Sequence, residues 1–325
     1  MIVSSIHDYD LLEQHDKKNI DWFVVNWCLG NTCNYACSYC PTSLHDGSRK
    51  WHSLENVKAF VGRIKAIHPT KKIYFEFTGG EVTLNKDFIA ICQFCHENDV
   101  KVGFISNGSR TIRWWEENKQ HFDHVMLSFH VEYADPDHFV KVVELLRFQV
   151  LTHVNVMMHP ERFDECLMVA SRVKALGNAS IAVQPLIHDL ANEMYDYPPD
   201  QRYILDHQRE IFGNIKWYKK FNNFYRGSVQ GTRSDGSLTP IINPHDFINL
   251  KTNNWFGWDC WAGAEQLIVD KDGSIYRGWC KVGGLIGHIG DLDLALPTEP
   301  VHCNKHLCHC NFDIMCTKKR KEGSV

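Results

Sequence analysis

A chain of 325 residues, 44% hydrophobic and 23% charged, has apolar material for a sizeable core and suits one α/β barrel with an appendage. A net charge of −4 gives no basic field for nucleic acid or an anionic membrane, and no apolar run approaches the ~18 residues that would cross a bilayer. Thirteen cysteines, in a chain whose N-terminus lacks a signal-peptide pattern, argue for metal or catalysis over a disulfide framework, and for a soluble, cytoplasmic protein.

Residues 1–20 are polar and aperiodic, an irregular lead-in. The short β-favouring run 22–27 (WFVVNW) predicts a buried strand. The stretch WCLGNTCNYACSYCP then places Cys33, Cys37 and Cys40 at C-x3-C-x2-C spacing, with Tyr39 before the last cysteine. Ser53 reads as a helix N-cap, with Val57, Phe60, Val61, Ile64 and Ile67 at helical spacing before Pro69. Residues 71–77 predict a second strand, closed by Thr78, Gly79, Gly80 and Glu81. Asn85 starts a helix that buries Phe88, Ile89, Cys92 and Cys95.

A third strand, 101–106, ends at Asn107-Gly108, and a helix around Trp114 and Trp115 leads to a fourth at 124–129. Asp135-Pro136 caps the next helix, because proline at the first helical position costs no hydrogen bond. The fifth strand is 154–158, Pro160 opens a helix ending at Gly177, and the sixth strand is 180–185. Such alternation implies parallel strands wound right-handedly, although the pattern alone does not separate an open sheet from a barrel. The polar motifs fall just after strands, where barrel enzymes place their sites.

Residues 186–258 change character, with one helix expected around 199–212 and otherwise linker and surface loops. From about 259 cysteines, glycines and histidines accumulate. Residues 266–277 carry a hairpin signal around Asp272-Gly273, whose open end would draw Cys260 and Cys280 together. The run 318–321 (KKRK) reads as a solvated tail. Domains are therefore expected at 1–215 (core), 216–258 (linker or insert) and 259–325 (cysteine-rich). Cys28, Cys92, Cys95 and Cys166 read as buried apolar residues.

Three thiols within eight residues are crowded for a core but can surround one iron–sulfur cluster. Three ligands leave one iron of a cubane open, a vacancy that suggests chemistry. A zinc site draws cysteines in pairs from separate knuckles, and a ferredoxin loop would need Cys28 as its fourth ligand. The loop, with its aromatic residue, resembles the radical S-adenosylmethionine (radical SAM) superfamily, as does the Gly79-Gly80-Glu81 turn after the second strand. The resemblance implies a partial (β/α)6 TIM-type barrel, a [4Fe–4S] cluster on Cys33, Cys37 and Cys40, and SAM on its open iron.

It further implies that Gly79, Gly80 and Glu81 meet the methionine amino group and that Tyr39 lies against adenine. Ser106, Asn107, Ser128 and His130 match positions that contact the SAM carboxylate and ribose, and Gln184 could reach adenine or substrate. Val82 replaces the usual proline of the turn, and His130 stands where many relatives carry aspartate. The implied activity is one-electron reductive cleavage of SAM to a 5′-deoxyadenosyl radical that takes a hydrogen atom from a substrate carbon. Electrons would come from an external reductant of the flavodoxin or ferredoxin type.

The C-terminal cysteines resemble the SPASM and Twitch domains of that superfamily, which bind auxiliary clusters. Cys260, Cys280, Cys308 and Cys310 form the expected ligand set, with Cys316 or Cys303 as substitutes. Zinc is the alternative, because His302, His306 and His309 interleave with the thiols. The favoured activity is oxidation or dehydrogenation of a small polar molecule, since the chain shows no room for a winged-helix leader-peptide clamp. A peptide-modifying maturase is the second reading, and a non-enzymatic iron–sulfur or zinc protein the third. No nucleic-acid or membrane partner is expected.

Overall fold

The computed structural model describes residues 8–188, 194–213, 227–308 and 310–321. In chain order the first elements are β1 (Leu11–Gln14), β2 (Trp22–Cys28), α1 (Leu54–Ile67), β3 (Lys72–Thr78), α2 (Phe88–Glu97) and β4 (Val100–Ser106). They continue as α3 (Ile112–Asn118), β5 (His124–Phe129), α4 (Pro136–Leu146), β6 (Leu151–Met158), α5 (Phe163–Leu176) and β7 (Ser180–Pro185). The remainder comprises α6 (Pro199–Asp206), α7 (Gln208–Phe212), β8 (Val229–Thr232), α8 (Pro244–Asn249), β9 (Trp258–Cys260) and β10 (Gln266–Val269). Last come β11 (Ser274–Tyr276), β12 (Leu285–His288), β13 (Val301–His302), α9 (Asn311–Ile314) and β14 (Lys318–Arg320).

The strand–helix alternation is present from β2 to β7, with the expected caps. Ser53 Oγ accepts the Asn56 N–H (3.2 Å) and Asp135 Oδ1 the His138 N–H (2.6 Å), satisfying donors that a helix start leaves orphaned. Two boundaries differ. Helix α2 begins at Phe88, because a tight turn at Val82–Leu84 precedes it and Asn85 Oδ1 accepts the Asp87 N–H within the non-helical approach. The helix expected over 199–212 is broken at His207, whose Nδ1 lies 2.8 Å from the Tyr203 carbonyl at the end of α6.

The described residues fall into two compact units that interleave along the chain. One unit contains those of Cys28–Lys58 and Phe75–Asn222. Here β4, β5, β6 and β7 run parallel in sequence order, with Phe104 opposite Val125, Leu127 opposite Val154 and Val156 opposite Val183. Val154, Val156 and Met158 are buried on one face of β6, while His153, Asn155 and Met157 on the other are half-buried. Phe88, Ile91, Cys92 and Cys95 of α2 and Phe139, Val143 and Leu146 of α4 are buried as well, so the cysteine pair of α2 is apolar packing.

The other unit contains the described residues of Met1–Trp27, Ala59–Tyr74 and Asn223–Val325. Its five-stranded sheet runs β13–β9–β14–β1–β8, with antiparallel pairs throughout. In the same unit β10 pairs parallel to β2 and antiparallel to β11, which pairs antiparallel to β12. The hairpin expected around Asp272-Gly273 is thus the β10–β11 turn, closed by Asp270 N–H to Ser274 O at 2.8 Å.

Three expectations are corrected here. The lead-in contains β1, whose buried Leu12 joins a core with Val229, Ile242, Phe247 and Trp255. Four of those core residues come from the stretch expected to be linker and loops, so that stretch builds a core instead. The run 318–321 is not a solvated tail: Lys318 is 2% exposed in β14. Strand period explains it, since Lys318 and Arg320 face Trp255 and Trp258 with cation–ring distances of 5.0 and 5.2 Å, while Lys319 is exposed. Among the described residues no helix is long and apolar enough to cross a membrane.

Candidate active site

The loop after β2 is folded around Asn31, which is fully buried. Its Nδ2 lies 2.9 Å from Ser43 O and 2.7 Å from Asp46 Oδ1, and its Oδ1 accepts the Arg49 N–H at 2.8 Å. These bonds close the loop that carries Cys33, Cys37 and Cys40. Cys37 is buried and the other two are half-buried. No disulfide joins any of the thirteen cysteines, all of which are described.

Gly79 and Gly80 lock the turn after β3 against this loop. A Cβ on Gly79 would lie 2.2 Å from Gly30 O, and one on Gly80 2.1 Å from Thr32 O. Both residues have positive φ, +102° and +52°, which glycine alone adopts freely. The Glu81 N–H then donates to Thr32 O at 2.8 Å. The glycines are required first by the approach of protein backbone, a reason that lies in the fold rather than in a ligand.

Glu81 is fully buried, and its carboxylate accepts four hydrogen bonds from the chain. Oε1 accepts the Thr83 hydroxyl (2.6 Å), the Thr83 N–H (3.2 Å) and the Ser106 hydroxyl (2.9 Å), while Oε2 accepts the Asn107 N–H (2.6 Å). Burial pushes its pKa up and these donors pull against that shift. Glu81 and Ser106 are therein brought together as a brace across two strand ends. Asn107 Nδ2 reaches Asn34 Oδ1 (2.9 Å) and, more loosely, Cys33 Sγ (3.9 Å).

A second brace joins the loop to the segment after β5. Tyr39 stacks on His130, and its hydroxyl lies 2.7 Å from His130 Nδ1. Burial pushes His130 down to about 4, so at neutral pH its ring is uncharged and Nδ1 can accept the phenol proton. Glu132 accepts the Ser38 N–H (2.7 Å) and hydroxyl (2.5 Å), with His159 Nε2 at 3.6 Å. Ser128 stands in register with Asn155 of β6, and Gln184 with Met157; Gln184 Nε2 lies 3.3 Å from Asn155 Oδ1. Asn31, Glu132, Asn155 and His159 were not singled out from sequence. The alternating pattern of β6 marks Asn155 as facing away from Val154, whereas Glu132 and Asn31 carry no local signal.

The donor set suits iron and sulfide. It consists of thiols, and the Tyr35 N–H donates to Cys33 Sγ at 3.4 Å, the kind of bond that supports a thiolate ligand. Burial raises the pKa of all three thiols, Cys37 to about 12, so a positive partner is needed to hold them ionised.

The C-terminal cysteines are gathered differently. Cys260, on β9, hydrogen-bonds with Cys316, which with the charge of Lys318 holds its thiol below the usual range despite burial. Cys303 and Cys308 lie within electrostatic reach of Cys260 and Lys318, and Cys280 within reach of Cys260 and Cys303. Cys310 packs with Phe312 and Trp279. Asp313, 2% exposed, accepts the Cys280 N–H at 3.0 Å. His302 pairs with Asp259 and His306 stacks on Phe256, while His309 lies outside the described residues.

Residues 27–179 match the family model for the radical SAM superfamily. The S-adenosylmethionine-dependent nucleotide dehydratase of Selenomonas ruminantium is 34% identical over 93 residues, 27% of this chain and 30% of that protein. The GTP 3′,8-cyclase of Haemophilus ducreyi is 29% identical over 122 residues, 35% of each chain. The matched segments thus span about a third of these relatives or less. Among solved structures, anSMEcpe with bound AdoMet superposes with a TM-score of 0.54 at 16% identity, covering 83% of this chain and 78% of that one. Streptococcus suis SuiB bound to S-adenosylmethionine gives 0.50 at 14% identity, covering 84% and 62%. At these identities the likeness is one of fold, and it fits the partial α/β barrel expected from the strand–helix alternation.

Proposed function

We propose, from the match of residues 27–179 to the radical SAM superfamily, whose members use a [4Fe–4S] cluster and SAM, that Cys33, Cys37 and Cys40 ligate such a cluster. The observation that carries the reading is the thiol loop itself, closed around Asn31 and backed by Gly79, Gly80 and the Glu81 brace. Bound together, the cluster and SAM supply a 5′-deoxyadenosyl radical that takes a hydrogen atom from a substrate carbon.

The chain's own part is to seat and orient. The Gly79–Gly80 backbone fixes where the loop sits. Glu81 is engaged by donors of the turn and the β4 end, and it acts by holding those two segments in place. Tyr39 offers a ring face for adenine while His130 fixes that ring's tilt. Ser128, Asn155 and Gln184 provide neutral hydrogen-bonding groups from adjacent strands.

We assign the substrate to the small polar molecules, with oxidation or dehydrogenation as the reaction. The nucleotide dehydratase and GTP cyclase relatives, which act on small polar compounds by name, support that class. The peptide reading is favoured by one observation: SuiB has been solved bound to its precursor peptide SuiA, and that complex shares this fold with a TM-score of 0.52. An auxiliary cluster of SPASM or Twitch type is proposed on Cys260, Cys280, Cys308 and Cys316, with Cys303 and Cys310 at its margin. This set exchanges Cys310 for Cys316, because Cys316 hydrogen-bonds with Cys260. Electrons are proposed to come from a flavodoxin- or ferredoxin-type donor, in the cytoplasm.

The test is anaerobic reconstitution followed by reduction with SAM present. The expected result is 5′-deoxyadenosine, lost when Cys33, Cys37 and Cys40 are all changed to alanine. Equal product from that variant would sink the assignment. Deuterium transfer from labelled small molecules or peptides into 5′-deoxyadenosine then separates the two substrate classes.

A further inference from the structure

Strand β14 carries a lysine in a place that ordinarily excludes one. Lys318 is 2% exposed, and its Nζ donates to the carbonyls of Asp313 (2.6 Å), Ile314 (3.0 Å) and Cys316 (3.1 Å). Those three bonds use every proton of an ammonium group. The Trp255 ring covers it at 5.0 Å.

Carbonyl dipoles solvate this cation but do not neutralise it, and an uncompensated buried charge is strongly disfavoured. Asp313 supplies a buried carboxylate, but that group is turned onto other donors. They are Gln266 Nε2 (2.7 Å), the Trp279 N–H (3.2 Å) and the Cys280 N–H (3.0 Å). The Glu265 carboxylate accepts the N–H of Thr317, the residue before Lys318, at 2.9 Å, and sulfur supplies the further candidate anions. Cys260 is the register partner of Lys318 across the β14–β9 ladder. Cys316 lies two residues before Lys318 and lends it a carbonyl. Cys308 packs against the core cluster that contains Trp255.

Resting on the auxiliary cluster proposed above, we propose that Lys318 is a positioning residue whose buried charge balances an anionic metal–sulfur cluster on Cys260, Cys280, Cys308 and Cys316 and eases its reduction. Uptake of one electron from the external donor makes the cluster more negative by one charge. A fixed cation nearby favours that product and raises the potential. Lys318 touches no reacting atom; it acts through the field at the sulfurs and by holding the 313–316 turn.

The experiment uses the full chain reconstituted with iron and sulfide, in wild-type form and as Lys318→Gln, Lys318→Met and Lys318→Arg. Iron is counted, and each cluster is titrated with dithionite under electron paramagnetic resonance. Glutamine retains donors for the carbonyls without the charge. It is expected to load the second cluster and to shift that cluster's one-electron reduction at least tenfold against the reduced state, ~59 mV, leaving the first cluster unmoved. A loaded Lys318→Gln protein with an unchanged second potential overturns the proposal. If Gln and Met fail to load that cluster while Arg loads it, the charge requirement is supported; equal failure of all three overturns it. A wild-type protein holding only about four irons removes the auxiliary-cluster reading itself, an outcome separate from an unmoved potential.

Discussion

Cys33, Cys37 and Cys40 come from one turn of eight residues, whereas Cys260, Cys280, Cys308 and Cys316 are drawn from well-separated parts of the sequence. The first group is braced by carboxylates: Glu81 joins the β3 turn to the β4 end, and Glu132 holds Ser38. The second is braced by a buried carboxylate and a buried ammonium, Asp313 and Lys318. Burial raises Cys33 and Cys37, with Glu81 and Glu132 adding to it. In the second group burial raises Cys280 and Cys308 as well, and Cys260 differs because the bond to Cys316 and the charge of Lys318 lower it. The local loop combines close backbone fit at Gly79 and Gly80 with carboxylate braces. The site assembled from distant strands adds a buried cation that binds several carbonyls at once.

The sharpest way to break this comparison is at Gly80. Alanine there would need positive φ and would place its Cβ 2.1 Å from Thr32 O, in backbone rather than a yielding side chain. Strain and overpacking together predict a loss of about 2–6 kcal/mol. Gly80→Ala is expected to lose the iron of the first site, about half of the total, and to keep that of the second. A urea melt with iron analysis measures both, and parallel loss at the two sites would show that they are not independent.

Next in size is a matched pair of buried carboxylate-to-amide changes. In Glu81→Gln an amide N–H2 must face Asn107 N–H or the Thr83 donors, and in Asp313→Asn it must face Cys280 N–H or its neighbours. Each mismatch strands buried donors and is expected to cost about 1–3 kcal/mol. Glu81→Gln should depress SAM cleavage with the second cluster intact. Asp313→Asn should deplete the second cluster while the first loads normally. Metal content with electron paramagnetic resonance separates the signals, and a swapped pattern would overturn the assignment of braces to sites.

How far the sequence carried this contrast follows from where each site's information lies. The C-x3-C-x2-C loop and the Gly79-Gly80-Glu81 turn are contiguous, so spacing exposes them, and strand periodicity exposes β2 to β7. The role of Glu81 is another matter, because its partners Ser106 and Asn107 lie 25 and 26 residues away and meet it only in three dimensions. Lys318 is misread in sequence since three basic neighbours look like a solvated run. The pairing of β14 with β9 turns Lys318 and Arg320 toward Trp255 and Trp258 and leaves Lys319 outside. Leu12 in β1 is hidden for the same reason: a four-residue strand becomes legible once β8 and β14 flank it.

The smallest expected effect concerns Tyr39, where brace and ligand platform coincide in one side chain. Tyr39→Phe removes the bond to His130 Nδ1 and is expected to cost about 1 kcal/mol, yet it keeps the ring. The wild-type bond itself should weaken with acid. His130 is depressed from 6.5 to about 4 by burial, so its contribution is complete above 6.5 and is lost as pH falls through that window toward 4. If the ring stacks on adenine, Tyr39→Phe leaves SAM affinity within about twofold. Tyr39→Ala, by contrast, forfeits the ~1–3 kcal/mol of a base–aromatic stack, roughly 5- to 150-fold in Kd. Equilibrium binding of SAM to the reconstituted variants reads the difference. Should Tyr39→Ala bind SAM as well as wild type does, Tyr39 serves only to hold the loop against His130, and the buried cation Lys318 is what sets the second site apart from the first.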